Sequence, residues 1–152
     1  MADETTFQRI ARESESRPTE CHCSLCQQMC HTPCLGTPED IERLVDAGYA
    51  DRLVPTEWGV GMIVGLISRP VYMLQADTVN GWCTFYHNGL CELHDKGLKP
   101  TEGRLAHHTD PIIHGNQPTS LNVAWLIAKE WMKDENFNTV LRICDKIKQQ
   151  LK

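Results

Sequence analysis

Apolar residues recur at helical spacing in three parts of the chain. In "TPEDIERLVD", residues 37–46, apolar positions three and four apart share one face, behind a threonine N-cap and a proline at the first helical position. Two further stripes run through "TSLNVAWLIAKEWM", residues 119–132, and "NTVLRICDKIKQQL", residues 138–151. The pattern predicts one helix in the first half of the chain and an antiparallel helical pair at its C-terminal end.

The middle of the chain carries β-branched and aromatic runs separated by turn residues. These runs are "VGMIVGLI", "VYMLQA", "WCTFY" and "LCEL", and Asn88-Gly89 marks a hairpin turn between the last two. Residues 94–118 form a long connection of the kind that is usually functional or poorly ordered. The predicted fold class is therefore α+β, with a small β-hairpin or sheet region packed against helices that include the C-terminal pair.

The N-terminal stretch has a weaker pattern. Helical character is limited to Phe7, Ile10 and Ala11, and a Ser/Glu/Arg/Pro stretch follows. We therefore expect residues 1–20 to be a flexible lead-in and residues 21–152 to form a single cysteine-cluster domain, since a chain of roughly 150 residues can build one real core. No internal repeat is expected.

Charge and hydropathy narrow the possible partners. The chain holds 15 basic and 20 acidic residues, for a formal net charge of -5, which argues against binding to nucleic acid or an anionic membrane. The first 20 residues lack the apolar stretch of a secretory signal, and the longest apolar run is about half of what spans a bilayer. We expect a cytoplasmic protein with no nucleic-acid or membrane partner, and any protein partner stays open.

Cysteines are concentrated in two short segments. Five of the eight lie in "CHCSLCQQMCHTPC", residues 21–34, and two flank the predicted turn. Because thiols stay reduced inside cells, this density indicates a metal or redox site more than a disulfide framework. The predicted metal ligands are Cys23, Cys26, Cys30, Cys34, Cys83 and Cys91. The remaining cysteine, Cys144, falls on an apolar helical stripe and is expected to be a small buried thiol.

The number of thiols bears on the kind of centre. One tetrahedral ion needs four ligands, so six thiolates leave either spare cysteines or more than one metal atom. The C-x2-C spacing that opens the first group lets two sulfurs approach one ion at about 2.3 Å. The sequence thus predicts bound metal but leaves the number of metal atoms open.

The turn geometry bears on whether Cys83 and Cys91 share an ion. With a tight two-residue loop, Tyr86 stands opposite Cys91, and side-chain alternation then puts the two sulfurs on opposite faces. With a three-residue loop and Gly89 in the left-handed conformation beside a bulge, Phe85 stands opposite Cys91 and both sulfurs share a face. A shared metal therefore predicts the bulged turn.

The segments "CSLCQQMCHTPCLGTPEDIERLV" and "CTFYHNGLCELHDKGLKPTEGR" resemble the YkgJ-like CxxCxxCC family, whose members are described as zinc- or iron-chelating proteins. The resemblance covers residues 23 to about 104. It implies that the family's cysteines correspond to Cys23, Cys26, Cys30, Cys83 and Cys91. Family members are also related by motif to flagellin lysine methylases with an iron–sulfur cluster, so the resemblance implies an iron–sulfur alternative as well.

Two positions depart from the family pattern. Met29 stands in place of one paired cysteine, and Gly103 stands where the final cysteine precedes Arg104. Cys34, four residues after Cys30, is the candidate to compensate for one of these losses.

Histidines offer a second source of ligands. "LAHHTDPIIHG" contains His107, His108, Asp110 and His114, and imidazole or carboxylate with thiolate suits zinc. The alternative is that these side chains are solvated in a polar loop. We keep both interpretations.

These observations predict a metal-binding protein that holds zinc or iron through the cysteines of residues 23–34 and 83–91. The main alternative is an iron–sulfur oxidoreductase or electron carrier. Thiol–disulfide chemistry at Cys23 and Cys26 is a weaker alternative, because such pairs normally open a helix after a strand. Whether the protein is an enzyme is left open by the sequence.

Overall fold

The structure is a computed structural model that describes residues 3–18, 34–58, 71–105, 113–114 and 117–152. The described helices are α1 (Thr6–Glu13), α2 (Pro38–Asp46), α3 (Thr101–Leu105), α4 (Thr119–Met132) and α5 (Phe137–Gln150), with short 3-10 turns at Ala50–Arg52, His94–Lys96 and Asp134–Asn136. The described strands are β1 (Leu53–Trp58), β2 (Val71–Ala76), β3 (Thr78–Val79), β4 (Trp82–Cys83), β5 (Tyr86–His87), β6 (Leu90–Cys91), β7 (Ile113–His114) and β8 (Gln117–Pro118).

The strands form four antiparallel pairs, β1–β2, β3–β4, β5–β6 and β7–β8. In the longest pair, Leu53 stands opposite Ala76 and Trp58 opposite Val71. Helices and small antiparallel strand pairs together make an α+β fold, which confirms the predicted class. The run "VGMIVGLI" lies outside the described residues.

Helix α2 begins where its sequence signals place it. Thr37 is the N-cap, its side chain accepts a hydrogen bond from the Asp40 N–H at 3.2 Å, and the Asp40 carboxylate accepts from the Thr37 N–H at 3.0 Å. This reciprocal capping box satisfies two backbone donors that the first turn leaves without partners. The predicted start at Thr37 and Pro38 is confirmed.

Helix α1 lies within the segment expected to be a flexible lead-in. A capping box between Thr5 and Gln8 starts it, and the side chain of Ile10 is fully buried. Ile10 packs with residues of α4, and Arg9 forms an ion pair with the buried carboxylate of Glu130. Helix α1 is therefore docked on the core, while the division of the chain at residue 20 stays a prediction.

The core consists of two clusters of buried apolar side chains. One joins α1, Leu35, α3 and α4, and the other joins α2, the strands around Phe85, Leu93 and α5. Trp131 on α4 packs against both. Burial of apolar surface in these clusters supplies the main driving force for folding, at roughly 25 cal/mol per Å².

The two C-terminal helices are confirmed, since α4 and α5 follow one another across the turn at Asp134–Asn136. Helix α5 packs chiefly against α2, however, and less against α4. Across that interface Arg142 pairs with Glu42 and Lys146 pairs with both Glu42 and Asp46. Within the described ranges, no helix combines the length and the apolar character that a membrane span requires.

Candidate metal centre

The six predicted cysteine ligands are divided between described and undescribed residues. Cys34, Cys83 and Cys91 are described, and all three are free thiols. The others lie outside the described residues, namely Cys23, Cys26 and Cys30. The same is true of His107, His108 and Asp110, whereas His114 falls in β7.

Cys34 begins a short segment that three hydrogen bonds hold to the rest of the fold. The Leu35 N–H donates to Glu102 Oε1 at 3.1 Å, and the Glu102 N–H donates to the Leu35 carbonyl at 3.0 Å. The indole N–H of Trp131 donates to the Gly36 carbonyl at 2.8 Å. The backbone next to Cys34 is thus joined to both α3 and α4.

Asp40 connects the same segment to the start of α3. Its Oδ2 accepts hydrogen bonds from the Thr101 N–H at 2.9 Å and from the Thr101 hydroxyl at 2.5 Å. A side chain on Gly36 would place its Cβ 3.0 Å from the Cβ of Asp40 and 3.1 Å from that of Pro100. Close packing therefore fixes the distance between the Cys34 segment and α3.

The sulfur of Cys34 lies against Gly103. A Cβ at position 103 would stand 2.8 Å from Cys34 Sγ and 3.1 Å from Cε of Lys99. Real side chains do not approach so closely, so the absence of a side chain at Gly103 is what admits the sulfur. Cys34 thus occupies the space at the position where the resemblance expects the final cysteine.

Cys83 and Cys91 end two consecutive hairpins of the same design. Asn80-Gly81 joins β3 to β4, and Asn88-Gly89 joins β5 to β6. All four turn residues have positive φ, as the tight type I′ hairpin turn requires. Each turn is followed by one residue and then the cysteine, so N-G-x-C occurs twice, eight residues apart. The expectation of no internal repeat overlooked this short duplication.

A metal shared by Cys83 and Cys91 was expected to require a bulged turn at Asn88-Gly89. That prediction of a bulged turn is wrong. His87 pairs with Leu90 and Tyr86 with Cys91, so the loop has only two residues. The premise was also wrong, because Cys83 and Tyr86 do not belong to one continuous strand. The chain turns at Thr84 and Phe85, and strict side-chain alternation therefore stops between the two cysteines.

Phe85 is the anchor of that turn. Its side chain is 1% exposed, and its ring meets that of Tyr49 edge to face at 5.3 Å. The Arg52 guanidinium lies 5.2 Å from the centre of the Phe85 ring and forms an ion pair with Glu92. Burial of Phe85 turns the chain inward, so that Cys83 and Cys91 both join the core cluster around it.

The three described thiols interact electrostatically. Burial is the main cause that raises the pKa of the Cys34 thiol well above its usual value. Three acidic neighbours raise it further, namely Glu102, Cys83 and Cys91. The ammonium group of Lys99 acts in the opposite direction. Cys34 of the first segment therefore lies near Cys83 and Cys91 of the second.

The pKa of the Cys83 thiol is also shifted by opposing causes. Burial raises the pKa of its thiol, while hydrogen bonding from the backbone of Phe85 opposes the shift. Cys91 raises that pKa further, and hydrogen bonding from the backbone of Cys34 lowers it. Backbone N–H groups aimed at a sulfur are typical of thiolate ligands, because they stabilise the charged form.

Glu102 is the residue that the sequence reasoning missed. Burial raises the pKa of its carboxyl group to about 7, and its hydrogen bond from the Leu35 backbone only partly offsets this. Its position directly before Gly103, where the family pattern expects a ligand, is a sequence signal that points to it.

The donors present agree with zinc in their chemistry. Thiolate sulfur and carboxylate oxygen are both ordinary zinc ligands. In the part of the chain that the structure describes, however, no three His, Cys, Asp or Glu side chains form a group that could hold a metal ion.

Comparison with models of known families finds no match for this chain, and comparisons with curated proteins and with solved structures find none either. The resemblance to the YkgJ-like family stays a prediction based on the cysteine segments. The function must accordingly be argued from the site itself.

Proposed function

We propose that this chain is a metal-binding protein of the cytoplasm that holds zinc between its two cysteine segments. Cys34, Cys83 and Cys91 contribute ligands from the described residues, and Cys23, Cys26 and Cys30 contribute the rest. The observation that carries this proposal is the electrostatic interaction of Cys34 with Cys83 and Cys91, although roughly 50 residues separate the two segments.

The balance of charge at the site supports a cation. Three thiols and one carboxyl group interact there, and Lys99 is the positive group that acts on Cys34. Without metal, burial keeps the thiols of Cys34 and Cys83 protonated, and a bound divalent cation would displace those protons. Metal binding would then depend on pH and release protons.

Zinc agrees better with these donors than an iron–sulfur cluster does. A carboxylate beside the thiols is a normal zinc ligand, whereas clusters are held mainly by cysteine thiolates. The number of predicted cysteines favours the alternative, an iron–sulfur electron carrier or oxidoreductase, because six exceed the four that one cluster needs. No substrate or reaction is part of the proposal.

Elemental analysis of protein purified without oxygen tests the proposal. We expect a stoichiometric amount of zinc, no iron and a colourless solution. Stoichiometric iron with acid-labile sulfide and absorbance near 400 nm would support the iron–sulfur alternative instead. Protein that folds and binds neither metal under reducing conditions would contradict both.

Serine substitutions show which thiols hold the ion. Cys34→Ser, Cys83→Ser and Cys91→Ser are each expected to lower the metal content or affinity. Cys144→Ser is the matched control, because Cys144 is a free thiol on α5 and lies outside the two cysteine segments. Metal loss in Cys144→Ser with full retention in the other three would contradict the assignment.

A further inference from the structure

Helix α5 carries apolar side chains on its exposed surface as well as on the side that faces the core. Ile143 is fully buried and marks the inner side of the helix. Phe137, Leu141 and Leu151, the last directly after the helix, are 61%, 48% and 56% exposed. A helix that packs on one side only normally has a polar opposite side. The exposed apolar residues are therefore not explained by the packing of α5 on the core.

The exposed positions follow the spacing of a seam between two helices. Starting at Phe137, the positions continue at Leu141, Cys144, Lys148 and Leu151, in steps of four, three, four and three residues. Alternating steps of three and four keep side chains in one line along a helix, as at the contact of paired helices. At Lys148 the aliphatic part of the side chain can cover apolar surface while the ammonium group stays in water. We call these five residues the outer stripe.

Charges of opposite sign lie at the two ends of the outer stripe. Asp134 and Glu135 are exposed in the turn before α5, and Lys148 and Lys152 are exposed at the other end. Glu135 forms only a long ion pair with Lys133, at 3.8 Å. Two copies packed antiparallel would bring the acidic end of each against the basic end of the other, whereas parallel copies would bring like charges together. The helix dipoles favour the antiparallel order as well.

We propose that the outer stripe is the contact surface of a homodimer, in which α5 of one copy packs antiparallel on α5 of a second copy. An apolar centre with acid at one end and base at the other is complementary to itself when it is turned end to end. A two-fold axis produces this arrangement, because it presents the same surface from both copies. A single pair of helices about 21 Å long makes a small interface, so we expect a dissociation constant of roughly 10–100 µM.

The experiment is sedimentation equilibrium of the full chain at concentrations from about 1 to 500 µM, which span the expected dissociation constant. An excess of reducing agent prevents disulfide cross-links between copies. We expect the average mass to rise with concentration from the monomer value of 17.3 kDa toward twice that value. The pairing requires no metal, so the metal content decides the proposed function separately.

Charged substitutions on the outer stripe identify the surface. Leu141→Glu and Phe137→Glu should each weaken the dimer by at least about tenfold, because each would bury a carboxylate in the contact. Leu90→Glu is the matched control, since Leu90 is 57% exposed on β6 and is not part of α5. We expect its dissociation constant to stay within about twofold of the wild type, as for a surface substitution outside an interface. Circular dichroism checks that each variant is folded.

Reversal of charge tests the antiparallel order. Lys148→Glu together with Lys152→Glu should weaken the dimer, because both ends of the stripe are then acidic. Adding Asp134→Lys and Glu135→Lys reverses the other end and should restore association. In a parallel dimer the first pair of substitutions would only replace one like-charge contact by another. An unchanged dissociation constant in that variant would overturn the antiparallel arrangement.

Other results would overturn the dimer itself. One is a wild type that stays monomeric at the highest concentration, and another is a dimer that Leu141→Glu and Phe137→Glu leave unchanged. Equal weakening by Leu90→Glu would show that the loss is not specific to α5. A monomeric wild type whose Tm falls in Leu141→Glu would show that a segment of the same chain, and not a second copy, covers the stripe.

Discussion

Glu42 and Glu102 are two carboxylates of one protein in opposite surroundings. Hydrogen bonds from Arg142 chiefly, and from Lys146, lower the pKa of Glu42 at the interface of α2 and α5. Burial raises the pKa of Glu102 beside Cys34 to about 7. The first region pairs its charges and stabilises the fold, whereas in the described part of the second region three thiols and a carboxyl group meet one ammonium group, that of Lys99. An imbalance of this kind is typical of functional sites.

Removal of the proposed zinc ion from the second region is expected to give the largest effect on stability. At free zinc about 1000 times its Kd, binding to the folded state alone stabilises it by about 4 kcal/mol. A chelator should therefore lower Tm by many degrees, and the loss should reverse when zinc is added back. An unchanged Tm after proven zinc removal would contradict a contribution of the metal to stability.

The substitution Gly103→Ala is expected to give the next largest loss of stability. Its Cβ would meet Cys34 Sγ at 2.8 Å, and overpacking of this kind costs typically about 1–3 kcal/mol. Urea unfolding measures the loss in the metal-free protein. The double variant with Cys34→Ala should recover part of it, because the sulfur that clashes is gone. Additive losses in the two single variants would show that the contact is not the cause.

The pH dependence of the metal-free protein distinguishes the two carboxylates directly. Because the folded pKa of Glu102 is about 7 and the unfolded value is 4.5, its contribution is present below pH 4.5 and is lost as pH rises to 7. The loss should be roughly 2 kcal/mol, discounted because the residue keeps some contact with solvent. Glu102→Gln should remove this loss in urea unfolding at pH 5 and pH 7.5.

The contribution of Glu42 to stability depends on pH in the opposite direction to that of Glu102. Its folded pKa is lowered, so its contribution is present above the unfolded value of 4.5 and is lost as the pH falls through the folded pKa. Glu42→Gln should therefore be less stable than the wild type above about pH 5, and the two proteins should converge in stability in acid, where the wild-type carboxylate is protonated. Equal stability of the wild type and Glu42→Gln at pH 7 would contradict this assignment.

Arg142→Ala should give the smallest effect. Arg142 is an exposed partner of Glu42, and exposed ion pairs contribute little and weaken with salt. We expect a small fall in Tm that shrinks at high ionic strength, with zinc content unchanged. Loss of zinc in this variant would show that the two regions are coupled.

Local signals explain what the sequence predicted correctly. Thr37, Pro38 and the apolar spacing after them determine the start of α2 within a few residues, so that helix was predicted. Asn88-Gly89 likewise favours a tight turn by itself. The equivalent pair Asn80-Gly81 carries the same signal and was overlooked.

Long-range contacts explain what was missed. "WCTFY" has the composition of a strand, but Phe85 is buried against Tyr49 and the chain turns there. Glu102 has no motif of its own, and its role depends on Leu35, 67 positions earlier in the chain. Such pairings depend on the assembled core, and no window of sequence contains both partners.

The hydrogen bond from Trp131 to the Gly36 carbonyl has a practical consequence. Indole fluorescence responds to the polarity around the ring and to its hydrogen bonding. The ring of Trp131 is hydrogen-bonded to Gly36, which is two residues from Cys34. A variant in which phenylalanine replaces Trp58, Trp82 and Trp125 would retain Trp131 as a single fluorophore. The protein would then carry an optical reporter, without a dye or a label, with which uptake of the proposed ion can be tested.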